Sequence, residues 1–266
     1  MGDAAQMQIA TWNVNSVKSR LDLLLRWLDE ARPDLVCLQE IKCLDEAFPT
    51  AAIEDAGYSV AVHGQKTYNG VALLSRFPLE DVTRGLPGDE SDEQARYIEA
   101  VVSTPGGAVR VGGVYLPNGN PVDSPKYGYK LGFMERLRAH AAERLLLEEP
   151  FVLAGDFNVI PEARDARRPE AWVGDALYLP DTHAAWRRLL ALGLTDALRA
   201  SDDEGGVYTF WDYQAGAWQK DNGIRIDHLL LSPQAADRLL GVRIDRHVRS
   251  WERPSDHVPV VAELAV

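Results

Sequence analysis

Short apolar runs of strand length punctuate the chain, and they constrain its fold more than any other feature. They cover residues 8–12, 34–38, 58–62, 70–74, 97–102 and 109–115, and later 151–155, 207–211, 226–231 and 258–264. Runs of about four to eight residues rich in β-branched and aromatic side chains, bounded by turn residues, read as strands. Polar residues alternate most clearly near 97–102 and 258–264, which predicts half-buried strands there. Helical spacing is confined to three stretches. Val17, Leu21, Leu24, Leu25 and Leu28 share one face, with Ser16 as a candidate N-cap and Pro33 beyond the end. Leu131, Met134, Leu137, Ala141 and Leu145 share another, and Trp186, Leu189 and Leu190 a third that can stop at Gly193.

Many strands and few helices predict an α/β domain in which two sheets pack together under outer helices. No Gly-x-Gly-x-x-Gly follows a strand and no P-loop is present, so a dinucleotide or P-loop fold is disfavoured. No low-complexity linker or clear sequence repeat divides the chain. Residues 7–266 therefore read as one domain, and residues 1–6 as a short disordered extension. No run approaches the ~18 apolar residues of a membrane helix, and the N-terminus lacks the basic start and apolar stretch of a signal peptide. The two cysteines, Cys37 and Cys43, make neither a disulfide framework nor a zinc site. They fit a reducing, cytoplasmic setting. The formal net charge of −12 argues against a polyanionic partner on average. Phosphate contacts are local, however, and site chemistry outweighs the average.

That chemistry lies where polar residues interrupt the apolar runs. Asn13 and Asn15 follow the first run, Glu40 the second, Tyr115 the run at 109–115, and Asp156 and Asn158 the run at 151–155. Asp227 opens into a run of leucines, and Asp256-His257 precede the last run. Loop ends above rigid strands are where reactive groups concentrate. Each residue alone has a bland alternative: a turn asparagine, an exposed acid, an Asx turn, a hydrogen-bonded structural histidine. Their joint occurrence suits metal-assisted phosphodiester hydrolysis. Glu40 and Asp256 are hard oxygen ligands for Mg²⁺, and Asn13 or Asn15 can add a carbonyl oxygen. Asp156 can accept a proton from water, and Asn158 can donate to a developing oxyanion. Asp227 can orient a cationic His257. Tyr115 offers a phenol donor, or a phenolate if its pKa is lowered. No serine-nucleophile elbow and no His-Glu-x-x-His are present.

Eight motifs stand in one order. They are Ala10-Thr-Trp-Asn-Val-Asn15, Leu38-Gln-Glu-Ile-Lys42, Gly70-Val-Ala-Leu-Leu-Ser75, Gly113-Val-Tyr-Leu-Pro-Asn118, Gly155-Asp-Phe-Asn158, Tyr208-Thr-Phe-Trp211, Arg225-Ile-Asp227 and Ser255-Asp-His257. In these the chain resembles the exodeoxyribonuclease III family of DNA-repair AP endonucleases, from about residue 8 to the C-terminus. The resemblance implies a four-layer α/β/β/α sandwich with two packed mixed sheets. It implies Mg²⁺- or Mn²⁺-dependent cleavage of double-stranded DNA 5′ to abasic sites, with 3′→5′ exonuclease and 3′-phosphatase or phosphodiesterase activity on modified 3′ ends. It puts Asn13, Glu40, Tyr115, Asp156, Asn158, Asp227, Asp256 and His257 in the family's active-site places. It leaves open whether Asp156 or Tyr115 activates the nucleophile, and whether Asp156 and Asn158 bind a second metal. Some relatives carry Asp where this chain has Asn15.

Phe210, Trp211, Ile224 and Ile226 are expected, by the same resemblance, to shape a pocket for an extruded abasic sugar. Asn118, Lys126 and Lys130 are candidate contacts to flanking phosphates. Arg164, Arg167 and Arg168 form either a backbone-tracking cluster or a solvated loop. The expected protein is a monomer with no membrane partner. Two rivals are a phosphoesterase of the same fold acting on lipid or inositol phosphates, and an inactive DNA-binding protein.

Overall fold

The computed structural model describes residues 6–265. Its twelve strands form two six-stranded sheets. The first contains β1 (Gln6–Asn13), β2 (Leu35–Gln39), β3 (Ser59–His63), β4 (Val71–Ser75), β11 (Leu239–Ile244) and β12 (Val260–Ala265), in the order β11-β12-β1-β2-β4-β3. The second contains β5 (Leu79–Arg84), β6 (Tyr97–Thr104), β7 (Gly107–Tyr115), β8 (Phe151–Asp156), β9 (Thr195–Asp196) and β10 (Asp227–Leu231), in the order β5-β6-β7-β8-β10-β9. Each sheet has one parallel pair at its centre, β1–β2 and β7–β8, and antiparallel pairs elsewhere. The two halves thus repeat one pairing scheme that the sequence does not betray. Most of the expected extension lies outside the described residues, but Gln6 opens β1 opposite Ala265.

The central strands are buried on both faces, which explains their nearly unbroken apolar runs. Met7, Ile9, Leu35, Cys37 and Leu73 from one sheet meet Ile98, Val111, Val152, Ala154 and Leu229 from the other in the middle layer. The alternate residues face outward. Ala10, Trp12, Val36 and Leu38 pack under Leu24, Trp27 and Leu28 of α1 (Leu21–Ala31). Tyr97, Val114, Phe151, Leu153 and Leu230 pack under α3 (Pro125–Leu145) and α4 (Pro180–Leu190). The shorter helices are α2 (Thr50–Asp55), α5 (Ala197–Ser201) and α6 (Pro233–Ala236). The result is the expected four-layer α/β/β/α sandwich.

Local chemistry fixes the helix ends, with one departure from expectation. Ser124 caps α3 (Pro125–Leu145) by accepting from the Lys126 amide, and Pro125 occupies the first helical position. α4 (Pro180–Leu190) also starts on proline. Ser16 does not cap α1. Its φ is 84°, and a 3₁₀ turn at Lys18–Arg20 intervenes. Left-handed Arg32, just before Pro33, ends α1. The run at 207–211 is not a strand; Phe210 makes only isolated bridges to Ile224 and His257. Thr209 Oγ1 takes the amides of Ile226 and Asp227, so a side chain replaces ladder pairing there.

Candidate active site

Strand register assembles the site. Tyr115 lies opposite Asp156 across the parallel β7–β8 pair, and Asp156 lies opposite Asp227 across the antiparallel β8–β10 pair. Three functional side chains thus stand abreast on neighbouring strands. In the other sheet, Asn13 ends β1 opposite Gln39, and Glu40 follows at once. Gly155 lets the strands approach, because a Cβ there would collide with the Val114 carbonyl. The loop before β12 returns His257 to the same edge. Ser255 Oγ donates to the Asn13 carbonyl at 2.7 Å, and Trp12 Nε1 donates to the His257 carbonyl at 3.2 Å. Asn15, Glu40, Lys42 and Asn158 all have positive φ, between 45° and 55°. For residues other than glycine this backbone is strained, and such strain gathers at functional sites.

Two hydrogen-bond systems orient the groups. In the first, Asn13 Nδ2 donates to Glu40 Oε1 at 2.8 Å and to Asp156 Oδ2 at 3.0 Å. Its Oδ1 accepts from the Asn15 amide at 3.0 Å. The nitrogen therefore faces the site. Asn13 joins the two acids and is not the carbonyl ligand the sequence suggested. In the second, the Asn120 amide donates to Asn118 Oδ1, Asn118 Nδ2 to Asn158 Oδ1, and Asn158 Nδ2 to the Leu116 carbonyl, at 3.2, 3.1 and 2.9 Å. A backbone donor starts this chain and a backbone acceptor ends it, so both side-chain orientations are determined. Each amide keeps one N–H free.

Electrostatics assigns protonation. Asp156 is 1% exposed, and burial lifts its carboxyl to about 7; Asp227 and Glu40 add to this, against the pull of His257. Burial disfavours the His257 cation, yet Asp227, Asp156 and Asp256 prevail and raise the ring to about 10. Its Nδ1 lies 2.9 and 3.0 Å from the Asp227 oxygens, and its Nε2 lies 3.7 Å from Asp156. Burial, then Glu40 and Asp156, push Tyr115 well above the ordinary phenol value, so in the ion-free protein Tyr115 is a neutral donor. Burial would raise Glu40, but the Asn13 bond and the Lys42 and His257 charges hold it below the usual carboxylate value.

Ligand atoms of Glu40, Asp156 and His257 lie within 4.8 Å of one another. A protonated imidazole cannot ligate, which leaves two converging carboxylates, with Asp256 lining the same cavity. Hard oxygens and an underneutralised buried acid suit a hard divalent cation. Asn15 lies outside this group, donating to Asp256 Oδ1 at 3.1 Å and accepting from Lys42 Nζ at 2.6 Å.

The cavity holds about 330 Å³. Phe210, Ile224 and Ile226 line it as expected, Asn118 among them. Trp211 does not. It is fully buried against Tyr208, Trp218 and Val258, pointing the opposite way from its neighbour Phe210. Lys126 is exposed at the start of α3 outside the lining, and Lys130 is fully buried and cannot reach a phosphate in solvent. Arg164 pairs with Glu162 and Asp203, and Arg168 with Glu170, which favours the solvated-loop reading.

Asn120, Trp172, Asp175 and Asp212 also line the cavity and were not anticipated. Only Asn120 had a signal, in the repeated Asn118-Gly-Asn120. Lys42, 3.0 Å from Glu40, lay inside a quoted motif. Arg96 lies over the Tyr115 ring at 4.8 Å and had no signal at all.

Known proteins are similar to this chain in sequence and fold. Exodeoxyribonuclease III of Haemophilus influenzae is 33% identical over 97% of this chain and its own full length. A solved structure of the 3′ phosphatase NExo from Neisseria, bound to product DNA hairpin, is 42% identical with a TM-score of 0.93, covering 97% of this chain and 99% of that one. An AP endonuclease structure from Archaeoglobus fulgidus is 38% identical with a TM-score of 0.93, covering 98% and 100%. Residues 10–257 match the pattern of the Endonuclease/Exonuclease/phosphatase family, and the chain belongs to that family.

Proposed function

We propose that this chain is a DNA-repair nuclease that hydrolyses duplex DNA 5′ to abasic sites. The reading includes 3′→5′ exonuclease and 3′-phosphatase or phosphodiesterase activity. It takes residues 7–266 as one catalytic domain, acting as a cytoplasmic monomer. Among the described residues no helix is long and apolar enough to cross a membrane. The observation that carries the reading is the meeting of Glu40, Asp156 and a cationic His257 beside the Asn118–Asn158 pair. The nuclease and AP endonuclease activities of the relatives favour a DNA substrate over a lipid or inositol phosphate.

Each residue has a role in this scheme. Asp156 accepts a proton from water as the water oxygen bonds to phosphorus. The P–O3′ bond breaks, and the leaving 3′-oxygen takes a proton from solvent water, giving a 3′-hydroxyl and a 5′-phosphate. The free N–H groups of Asn118 and Asn158 and the His257 ring donate to non-bridging oxygens, where each such donor contributes roughly 10²–10³ in rate. Asp227 keeps the ring charged, and Tyr115 donates its phenol. Glu40, Asp256 and Asp156 would hold Mg²⁺, or Mn²⁺ in its place, which when bound would supply charge neutralisation at the phosphoryl oxygens. Phe210, Ile224 and Ile226 give the cavity an apolar wall for a sugar whose base is missing, the nucleotide least costly to extrude.

A gel assay comparing abasic, intact and 3′-phosphate duplexes at varied Mg²⁺ tests the reading. Incision on the 5′ side of the abasic site, abolished by chelator, is expected. Turnover of soluble phosphomonoesters with both DNA substrates untouched would overturn it.

A further inference from the structure

Lys130 carries a charge that none of the roles above uses. It sits on α3 at 0% exposure, beneath the floor of the cavity. Its Nζ donates to the Asn158 carbonyl at 2.5 Å and the Asn118 carbonyl at 3.0 Å, and both partners are neutral. The loop above is fitted to its stem. Gly119 has φ 91°, and a Cβ there would strike Lys130 Cδ and Ala176 Cβ. Burial pulls the ammonium down to about 7, so what Lys130 supplies at any pH is N–H donors held against the two carbonyls. The cavity above has five carboxylates in its lining, from Glu40, Asp156, Asp175, Asp212 and Asp256, and no lysine or arginine. Within that lining an entering phosphate meets positive charge at His257, beside the two asparagines whose carbonyls Lys130 holds.

We propose that Lys130 is a positioning residue for phosphodiester hydrolysis. It locks the backbone of Asn118 and Asn158 so that their free N–H groups point at the phosphate. The proposal rests on the hydrolase reading above. Lys130 does not touch substrate; it acts through the two asparagines whose carbonyls it holds.

The test uses the full chain as wild type, Lys130→Met, Lys130→Gln, Asn158→Ala and the Lys130→Met/Asn158→Ala pair. Substrates are abasic duplex and bis(4-nitrophenyl) phosphate, with Mg²⁺. Duplex affinity is measured separately in EDTA. Both Lys130 variants are expected to lose about 10- to 100-fold in kcat, the usual effect of removing a supporting partner. KM and duplex affinity should stay within about twofold. Lys130→Met leaves two carbonyls without a donor and should melt below wild type, so rates are compared at temperatures where each variant is folded. Adding Lys130→Met to Asn158→Ala should cost little more, because both act through one cradle.

Unchanged kcat in folded variants would overturn the proposal, as would effects that multiply with Asn158→Ala. Failure of both variants to fold would assign Lys130 to stability alone and overturn it too. Wild type that hydrolyses the diester but ignores abasic duplex sinks the DNA reading, and Lys130 is then judged on the diester. Wild type inert on both substrates removes the reaction and this proposal with it.

Discussion

Asp156 is held by the fold in an uncomfortable state, and the discomfort has two measurable sides. Burial lifts its carboxyl to about 7, so at neutral pH the ion-free protein carries it partly ionised at a cost in stability. For a carboxyl raised in the folded state that cost is absent below the unfolded value near 3.9. It grows as pH rises toward 7. Asp156→Asn keeps the Asn13 contact and removes the charge. We expect it to abolish cleavage while melting about 2–4 °C above wild type in EDTA at pH 7.5, the shift for roughly 1 kcal/mol in a chain near this size. Calorimetry beside the gel assay checks both. Lost activity with a lowered Tm would mean that Asp156 supports the fold rather than the chemistry. Glu99 shows the opposite sign. It is fully buried among Tyr97, His140, Arg110 and Arg144. Burial would raise it, but the bonds from His140 and Tyr97 and the charges around it hold it at about 2. Its stabilisation is full above the unfolded value near 4.3 and disappears as pH falls through 2. Glu99→Gln takes the carboxylate from Arg144 and His140 while Arg110 keeps Asp81, at a cost of about 3 kcal/mol, so Tm at pH 7 should drop by roughly 10 °C. That gap should narrow between pH 4.5 and 2 in melts followed by circular dichroism. A constant gap would contradict the account.

The elements transmit these residues to one place through register, and β8 is the critical one. Gly155 precedes Asp156, and a methyl group there meets the Val114 carbonyl of β7 head-on. Gly155→Ala must push β8 from β7 and carry Asp156 away from Tyr115. We expect a loss of roughly 1–3 kcal/mol in stability. At temperatures where the variant is fully folded, activity should fall more than 10²-fold, since misplacement near 1 Å suffices for that. Chemical denaturation and initial rates separate the two effects, and a folded variant with wild-type rate would remove the register argument. The apolar runs and their polar terminators made β1, β2, β4, β7, β8 and β12 legible, because doubly buried strands must be apolar until they reach the edge. β5, β9 and β11 are half-exposed or two residues long and carry no such signal. The false strand at 207–211 is a case where Thr209 captured the amides that pairing would have used. At the site, the acids and His257 were readable from residue type. The orientation of Asn13, the inward turn of Trp211 and the burial of Lys130 were not, because each depends on a partner distant in sequence.

At the scale of the molecule, the difficulty is a chain of net charge −12 that must hold a polyanion. Much of the surface charge is neutralised in local pairs such as Arg26–Glu30, Arg138–Glu135 and Arg164–Glu162. A second concavity, lined by Lys18, Ser19, Arg20, Tyr213, Arg253 and Pro254, is different. It adjoins the catalytic cavity through Tyr213, whose hydroxyl is 3.5 Å from Asn15 Nδ2, and Asn15 in turn bonds Asp256. Its lining holds three cations and no acid, whereas the catalytic cavity is lined by five acids. We expect a duplex strand whose scissile phosphate enters the acidic cavity to run its neighbouring phosphates over the basic one. Arg20 is engaged with the Asn15 carbonyl and the Tyr213 hydroxyl, but Lys18 is exposed and suited to a phosphate. Each phosphate neutralised on duplex DNA adds about 0.9 to the slope of log K against log salt. Lys18→Ala should weaken duplex binding several-fold at low salt and reduce that slope by close to one, while kcat at saturating DNA is unchanged. Fluorescence anisotropy over 50–300 mM salt measures the slope directly. A variant with the wild-type slope would place the strand elsewhere on the molecule, even if its affinity fell.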